Sequence, residues 1–285
     1  MNELIINADD FGLCECVNIG IIDAYKNGAL TSATLMMNTA AVMGAVELIK
    51  KNHMPVGIHL NLNYGNPLSK LQDCRTLVNI QTGQFYKDAY LLINGIQHKK
   101  IKLEEIENEY HNQLALAADY GLKLTHIDSH KHLHHFLPIY KIIEKLAKKF
   151  NIKKIRIAAE YGFYQYFNDI LEFGDNDYLY QMYIQSCLKN GCYKSDWFDE
   201  PYNFFGFFYA GKMTIDKYYK LFEAIKQADK PIEIMCHPAY NCRELAQISS
   251  LTYHRENELN TLKSAELKEL LRDYKLIDFS GLLKK

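Results

Sequence analysis

The chain lacks the features that mark membrane-spanning, nucleic-acid-binding and exported proteins. No uninterrupted apolar run reaches the length of about 18 residues that a spanning helix needs. There is no strongly basic block, and the formal net charge is -1, so neither a nucleic acid nor an anionic membrane is expected as a partner. The N-terminal residues carry no basic stretch, and Asp9 and Asp10 interrupt the apolar run that follows, which is unlike a signal peptide.

Cysteine is present but follows no framework pattern. The seven cysteines are odd in number and scattered, which fits a reducing, cytoplasmic compartment better than a set of disulfides. Cys14-x-Cys16 has no matching second pair, and the spacing therefore disfavours a zinc site there.

Short apolar runs alternate with longer amphipathic ones along most of the chain. This β-α alternation indicates an α/β protein with a parallel sheet, and about seven steps favour a distorted (β/α) TIM-like barrel over a doubly wound open sheet. We expect a single domain over residues 1–285. Residues 62–100 read as a long irregular loop. The predicted strands are 5–10, 34–37, 56–60, 123–128, 154–158, 231–236 and 276–279, and the predicted helices are 16–28, 41–51, 103–117, 139–150, 214–225 and 256–272.

An aromatic-rich insertion interrupts this rhythm at about residues 159–211. Half of the chain's Phe, Tyr and Trp residues lie in this segment. Long insertions in compact domains often serve as lids or binding loops, and aromatic faces stack well on sugar rings. A small additional core under the insertion is an equally good interpretation, and the two are compatible. Exposed aromatic residues here could also form a homodimer contact.

Two adjacent carboxylates, Asp9 and Asp10, follow the first apolar run and precede Gly12. Neighbouring strand residues point to opposite faces, so both carboxylates can reach one site only where the strand ends and the backbone turns. Taken alone, the pair would more simply cap the following helix.

A histidine cluster follows the predicted strand at 123–128. Five of the eleven histidines lie between His126 and His135. On extended backbone His126, Asp128, His130, His132 and His134 would share one face. Because every neutral imidazole needs both a donor and an acceptor partner, the cluster predicts a metal or acid-base site.

Two further histidines end predicted strands. His59 closes the run that begins at Val56, and His237 follows Cys236 and precedes Pro238. Polar groups therefore terminate at least four strands, whose carboxyl ends meet on one face of a parallel barrel. The sequence predicts a functional site on that face.

These motifs together resemble the YdjC-like carbohydrate deacetylase family, which includes chitooligosaccharide deacetylases. The resemblance covers roughly residues 3–158 and 231–240, and the aromatic-rich segment does not obviously share it. The motifs are Asn7-Ala8-Asp9-Asp10-Phe11-Gly12, Gly57-Ile58-His59-Leu60, Thr125-His126-Ile127-Asp128-Ser129-His130-x-His132 and Glu233-Ile234-Met235-Cys236-His237-Pro238.

The resemblance implies a metal-dependent hydrolase that removes an N-acetyl group from a small N-acetylated carbohydrate, such as an N-acetylglucosamine oligosaccharide. It assigns one divalent metal ion to Asp10, His59 and His130. It assigns the general base to Asp9 and the proton donor for the leaving amine to His237.

Four more residues are expected around this centre as substrate contacts or supporting hydrogen-bond partners. Asp128 could fix the tautomer of a histidine ligand, and Arg156 could orient a carboxylate. His132 and His134 complete the set.

Several alternatives stay open from the sequence. The family resemblance favours magnesium, whereas two imidazole ligands also suit zinc, manganese, cobalt or nickel. A metal-dependent hydrolase of another class, an amidohydrolase or a phosphoesterase, would usually carry a His-x-His pair on its first strand. A non-catalytic sugar-binding protein would need neither Asp9 nor His237.

Overall fold

A computed structural model describes residues 2–162, 175–228 and 230–284. Those residues form a seven-stranded sheet surrounded by helices. The strands are β1 (Glu3–Phe11), β2 (Ser32–Leu35), β3 (Val56–Leu60), β4 (Leu124–Ser129), β5 (Asn203–Phe205), β6 (Ile232–Cys236) and β7 (Lys275–Leu276). The helices are α1 (Glu15–Asn27), α2 (Val42–Asn52), α3 (Ala89–Gln97), α4 (Leu103–Asp119), α5 (Leu137–Phe150), α6 (Asp175–Lys189), α7 (Ile215–Ala224), α8 (Arg243–Ile248), α9 (Tyr253–Lys263) and α10 (Ala265–Leu270).

The strands run in the order β4-β3-β2-β1-β6-β5, and all of these neighbours pair in parallel. β7 pairs in parallel with the start of β1. Residues 4–11 of β1 are all buried, because helices cover parallel sheets and leave little of a central strand exposed to water.

The sheet curls into the distorted TIM-like barrel that the alternation predicts. Single parallel bridges join Ile127 of β4 to Ile155 and join Glu160 to Phe204 of β5. Residues 155–160 therefore connect the two ends of the sheet. The fold prediction is confirmed, although the predicted strand at 154–158 is wrong because only Ile155 within it forms a ladder pair.

Three other predicted elements differ from the structure. The predicted loop at 62–100 contains α3, whose Leu92 and Ile96 are buried. The predicted helix at 256–272 is divided at Ser264, whose side chain caps α10 by accepting from the Leu267 N–H. The last strand is β7 rather than 276–279.

The aromatic-rich segment contributes to both the core and the cavity. It contains α6 and β5, while residues 163–174 of the predicted insertion lie outside the described residues. The Tyr193 ring packs 5.1 Å from the Tyr140 ring of α5. Tyr180 and Phe207 instead line a large cavity. The single-domain boundary stays a prediction.

The turn after β1 is set by its backbone. Asp10 has φ of 66° and Gly12 has φ of 92°, and a Cβ at Gly12 would lie 2.9 Å from the Met36 carbonyl oxygen. Glycine adopts this conformation without steric cost, and it lets the chain leave β1 sharply. Among the described residues, no helix combines the length and apolar character needed to cross a bilayer.

Candidate active site

Polar side chains from four strand ends meet in a cavity of about 520 Å³ at the carboxyl edge of the sheet. β1 supplies the paired aspartates, β3 supplies His59, the turn after β4 supplies His130, and His237 follows β6. The parallel strands bring these residues to the same edge of the barrel. The cavity lining includes Asp9, Asp10, His59, His130, His132 and His237.

Asp10, His59 and His130 bring three metal-binding atoms within 4.8 Å of one another. Asp10 Oδ1 lies 3.4 Å from His59 Nε2 and 3.0 Å from His130 Nδ1. The left-handed backbone at Asp10 is what lets two consecutive aspartates enter the same cavity. One carboxylate and two imidazoles form a donor set that suits a divalent cation.

His59 is held with Nε2 toward this group. β3 and β4 place His59 opposite Asp128 in register, and His59 Nδ1 lies 2.7 Å from Asp128 Oδ1. The other Asp128 oxygen accepts from the Thr34 hydroxyl at 3.0 Å. Burial opposes a charge on the ring, but Asp128 and Asp10 outweigh it and raise the pKa of His59 to about 10. A cation would therefore displace a proton from this ring.

Arg156 is the positive centre beneath the site. Its guanidinium makes two bonds to Asp9, at 2.7 and 2.8 Å. It also lies 2.7 Å from Asp128 Oδ2 and donates to Glu233 at 2.6 Å. Burial would favour protonation of Asp9, but Arg156 outweighs burial and holds the pKa of that carboxyl well below its usual value. Asp9 is thus ionised and fixed in orientation.

His237 is held through its backbone. Its N–H donates to Glu258 Oε2 at 2.5 Å, and its ring Nδ1 has no hydrogen-bond partner among the described residues. Burial, reinforced by the positive charge of Arg255, lowers the pKa of His237 to about 4. The resting ring is therefore neutral and can accept a proton.

Sequence reasoning missed two charged residues on α9. Arg255 donates to Asp10 Oδ2 at 2.6 Å, and Glu258 also accepts from the Met213 N–H. Both are buried on the same helical face as Leu259 and Leu262. Two charges placed at this spacing within an apolar stripe are the signal that could have revealed them.

The histidine cluster does not share one face, which corrects the extended-backbone expectation. β4 ends at Ser129, and Lys131 and His132 adopt left-handed backbone conformations. His132 lines the cavity and stacks on Phe207 with ring centroids 5.0 Å apart.

The other members of the cluster have structural partners. His126 stacks on Phe279 with ring centroids 3.4 Å apart. His134 bonds to the Ser129 hydroxyl at 2.6 Å and to the Arg156 carbonyl at 3.2 Å. His135 accepts from the Ala158 N–H. None of these three histidines lines the described cavity.

The cysteines also depart from expectation. The sequence disfavours disulfides, yet the structure joins Cys16 at the start of α1 to Cys242 before α8. The thiol sulfur of Cys14 lies 3.5 Å from the disulfide sulfur of Cys16. The two bonded cysteines are 226 residues apart in sequence, so no local spacing could have paired them.

Comparisons with known proteins extend over nearly the whole chain. The chain is 36% identical over 284 residues to a carbohydrate deacetylase of Brevibacillus brevis, covering 98% of this chain and 99% of that protein. It is 33% identical to a chitooligosaccharide deacetylase of Yersinia enterocolitica, covering 97% and 98% of the two chains.

A solved structure and a family model also match nearly the whole chain. A crystal structure of a putative cellobiose-phosphate cleavage protein from Enterococcus faecalis superposes with a TM-score of 0.78 at 26% identity, covering 99% of each chain. The model of the YdjC-like protein family matches residues 3–273. The chain belongs to the YdjC-like family.

Proposed function

We propose that this protein is a metal-dependent carbohydrate deacetylase that hydrolyses the N-acetyl group of a small N-acetylated sugar to acetate and a free amine. The observation that carries the proposal is the convergence of Asp10, His59 and His130 beside an Asp9 carboxylate held by Arg156. The relatives described as carbohydrate and chitooligosaccharide deacetylases support the same substrate class.

Asp10 Oδ1, His59 Nε2 and His130 Nδ1 would hold one divalent cation, for which the family resemblance favours magnesium. Asp10 offers Oδ1 because Arg255 occupies its other oxygen. When bound, such an ion supplies a Lewis acid that polarises a carbonyl group and lowers the pKa of water.

Asp9 would act as the general base. Arg156 keeps its carboxylate ionised and fixed, so it can take a proton from the water that attacks the acetamide carbon. The same ion pair lowers the proton affinity of Asp9 and makes it a weak base. In return it fixes the direction in which the carboxylate faces the attacking water.

His237 would protonate the leaving nitrogen. The ring is neutral at rest because burial lowers its pKa to about 4. It must therefore gain a proton before it can donate one, and the proton that Asp9 takes from the attacking water would supply it. Nδ1 of His237 is unpartnered among the described residues. Breakage of the C–N bond then releases the sugar as an amine rather than as a poorly leaving amide anion.

Three further expectations belong to this proposal. Magnesium is the proposed ion, the cytoplasm is the proposed location, and a homodimer is the proposed assembly state.

Asp128, His132, His134 and Arg156 are proposed as supporting or substrate-contacting residues. For His134 the bonds to Ser129 and to the Arg156 carbonyl favour the supporting role.

Acetate release from N-acetylglucosamine oligomers tests the proposal. Protein stripped with a chelator and reloaded with magnesium, manganese, cobalt, nickel or zinc should be inactive without metal and active with at least one ion. Asp10→Asn should lose metal and activity together. Asp9→Asn should keep metal and lose activity by about 10²–10⁴-fold, the usual contribution of general acid-base catalysis.

The matched control is Asp119→Asn, which removes an exposed carboxylate at the end of α4 and should leave both properties unchanged. Thermal melting and circular dichroism establish that each variant folds. Acetate release that survives both chelation and Asp9→Asn contradicts the proposed mechanism.

A further inference from the structure

Arg255 is a buried guanidinium with one unused end. It is 3% exposed and lines the cavity. Nη2 donates to Asp10 Oδ2 at 2.6 Å, and Nε donates to the Leu251 carbonyl at 3.2 Å. Nη1 has no hydrogen-bond partner within residues 2–162, 175–228 and 230–284. Because a buried donor without an acceptor is unfavourable, an acceptor that enters the cavity would stabilise this nitrogen.

The cavity that Arg255 lines also carries apolar side chains that suit a short acyl group. Leu13, Ile248 and Leu251 line the same cavity, and the Leu251 backbone is bonded directly to the guanidinium. Apolar side chains match a methyl group, while a guanidinium N–H matches an oxygen that is negative or becoming negative. The cavity lining therefore offers an apolar surface for the methyl group and an N–H donor for the oxygen of an acetyl group.

We propose that Arg255 Nη1 binds the acyl oxygen of the substrate and the carboxylate of the acetate product. This inference rests on the proposed function and adds a residue that contacts the substrate. The acyl oxygen is neutral in the amide and becomes negative as water adds. Nη1 would therefore bind the transition state more strongly than the substrate, which is the condition for catalysis, and it would also bind the acetate product.

The competing interpretation is that Arg255 only pairs with Asp10. Arg255→Lys separates the two roles, because an ammonium can still neutralise Asp10 but cannot present two fixed nitrogens in different directions. Arg272→Lys is the matched control, since Arg272 is exposed and pairs with Glu269 on the surface.

Calorimetric titration of metal-loaded protein with sodium acetate provides a readout that needs no turnover. Arg255→Lys is expected to retain metal stoichiometry, to weaken acetate binding by at least about 10-fold, and to lower kcat by about 10²–10³-fold, as for loss of an oxyanion donor. Arg272→Lys should match the wild type. A folded, metal-loaded Arg255→Lys protein with wild-type acetate affinity overturns the inference.

If Arg255→Lys fails to hold metal, Arg255→Gly supplemented with guanidinium or with methylammonium decides the question. Restoration of acetate binding by guanidinium alone supports the inference, whereas equal rescue by both cations, or rescue by neither, overturns it. Arg255-dependent acetate binding in a protein that releases no acetate from acetylated sugars would refute the proposed function alone. Turnover with Arg255-independent acetate binding would refute this inference alone.

Discussion

At the scale of single residues, Arg156 organises the charge of the site. One guanidinium faces the carboxylates of Asp9, Asp128 and Glu233. Its planar fork permits the double contact with Asp9 while Nε reaches Glu233, an arrangement that a lysine ammonium cannot reproduce. The orientation of the proposed base and the orientation of His59 through Asp128 therefore depend on one side chain.

Arg156→Lys should destabilise the protein by about 3 kcal/mol, the lower end of the cost of breaking a buried ion pair. It should also lower activity, because Asp9 loses its double anchor. Urea unfolding and acetate release measure the two effects. A variant as stable as the wild type would contradict the central role of the Arg156 cluster.

Glu258 predicts a specific pH dependence of stability. Burial raises its pKa from 4.5 to about 7, so between those values the folded protein keeps a proton that the unfolded chain has released. The free energy of unfolding should therefore fall as pH rises through this window, by up to about 1.4 kcal/mol per pH unit from this group. In Glu258→Gln the fall should be smaller.

Urea midpoints measured from about pH 5 to about pH 7 test this linkage. Burial likewise raises the pKa of Glu233 to about 7, but Glu233 is present in both proteins and cancels in the comparison. Glu256→Gln, on the same helix and partly exposed, is the control. Equal pH slopes in the wild type and Glu258→Gln would refute the prediction.

At the scale of elements, close approach of backbones fixes how α1 meets the loop after β6. A Cβ at Gly20 would lie 2.5 Å from Ala239 Cα and 2.9 Å from the Ala239 carbonyl carbon. Backbone atoms cannot yield as a flexible side chain can. The loop that follows His237 is therefore packed directly on the helix that follows Asp10.

Gly20→Ala should destabilise the protein by about 1–3 kcal/mol through this overlap. Gly44→Ala in α2 is the control, because its added Cβ would meet nothing closer than 3.5 Å. That change should stabilise the protein by about 0.5–1 kcal/mol by removing a helical glycine. Thermal or urea unfolding compares the two, and similar effects at both positions would contradict the packing account.

Sequence pattern predicted the elements that carry a strong periodicity and missed those that depend on distant partners. β1, β3 and β6 were recognisable because apolar runs end there in polar residues. The extended segment around Ile155 resembles a strand locally but forms one bridge only. The strand ends predicted where the site lies and the family resemblance assigned its ligands, whereas Arg255 lies in a helix and its partner Asp10 is 245 residues away in sequence.

At the scale of the whole molecule, two segments at the carboxyl edge of the barrel are covalently linked. The disulfide between Cys16 and Cys242 links the segment after β1 to the segment after β6, which are the segments that follow Asp10 and His237. The remaining five cysteines, Cys14, Cys74, Cys187, Cys192 and Cys236, are free.

Thiol titration tests this link. Denatured protein prepared without reductant should show five reactive thiols, and reduced protein should show seven. Reduction should lower the free energy of unfolding by about 2–4 kcal/mol. The double variant Cys16→Ser, Cys242→Ser should be insensitive to reductant. Seven thiols in the unreduced protein would contradict the link.

Arg255 and Glu258 lie on one helix, and the three-residue spacing between them determines whether both side chains can reach their partners. An α-helix turns by about 100° per residue. Inserting one amino acid between them would therefore rotate one of the two side chains away from its partner while the other kept its position. Neither Asp10 nor the His237 amide could follow. An insertion or a deletion within this single turn should therefore separate Arg255 or Glu258 from its partner, even where every other residue is kept.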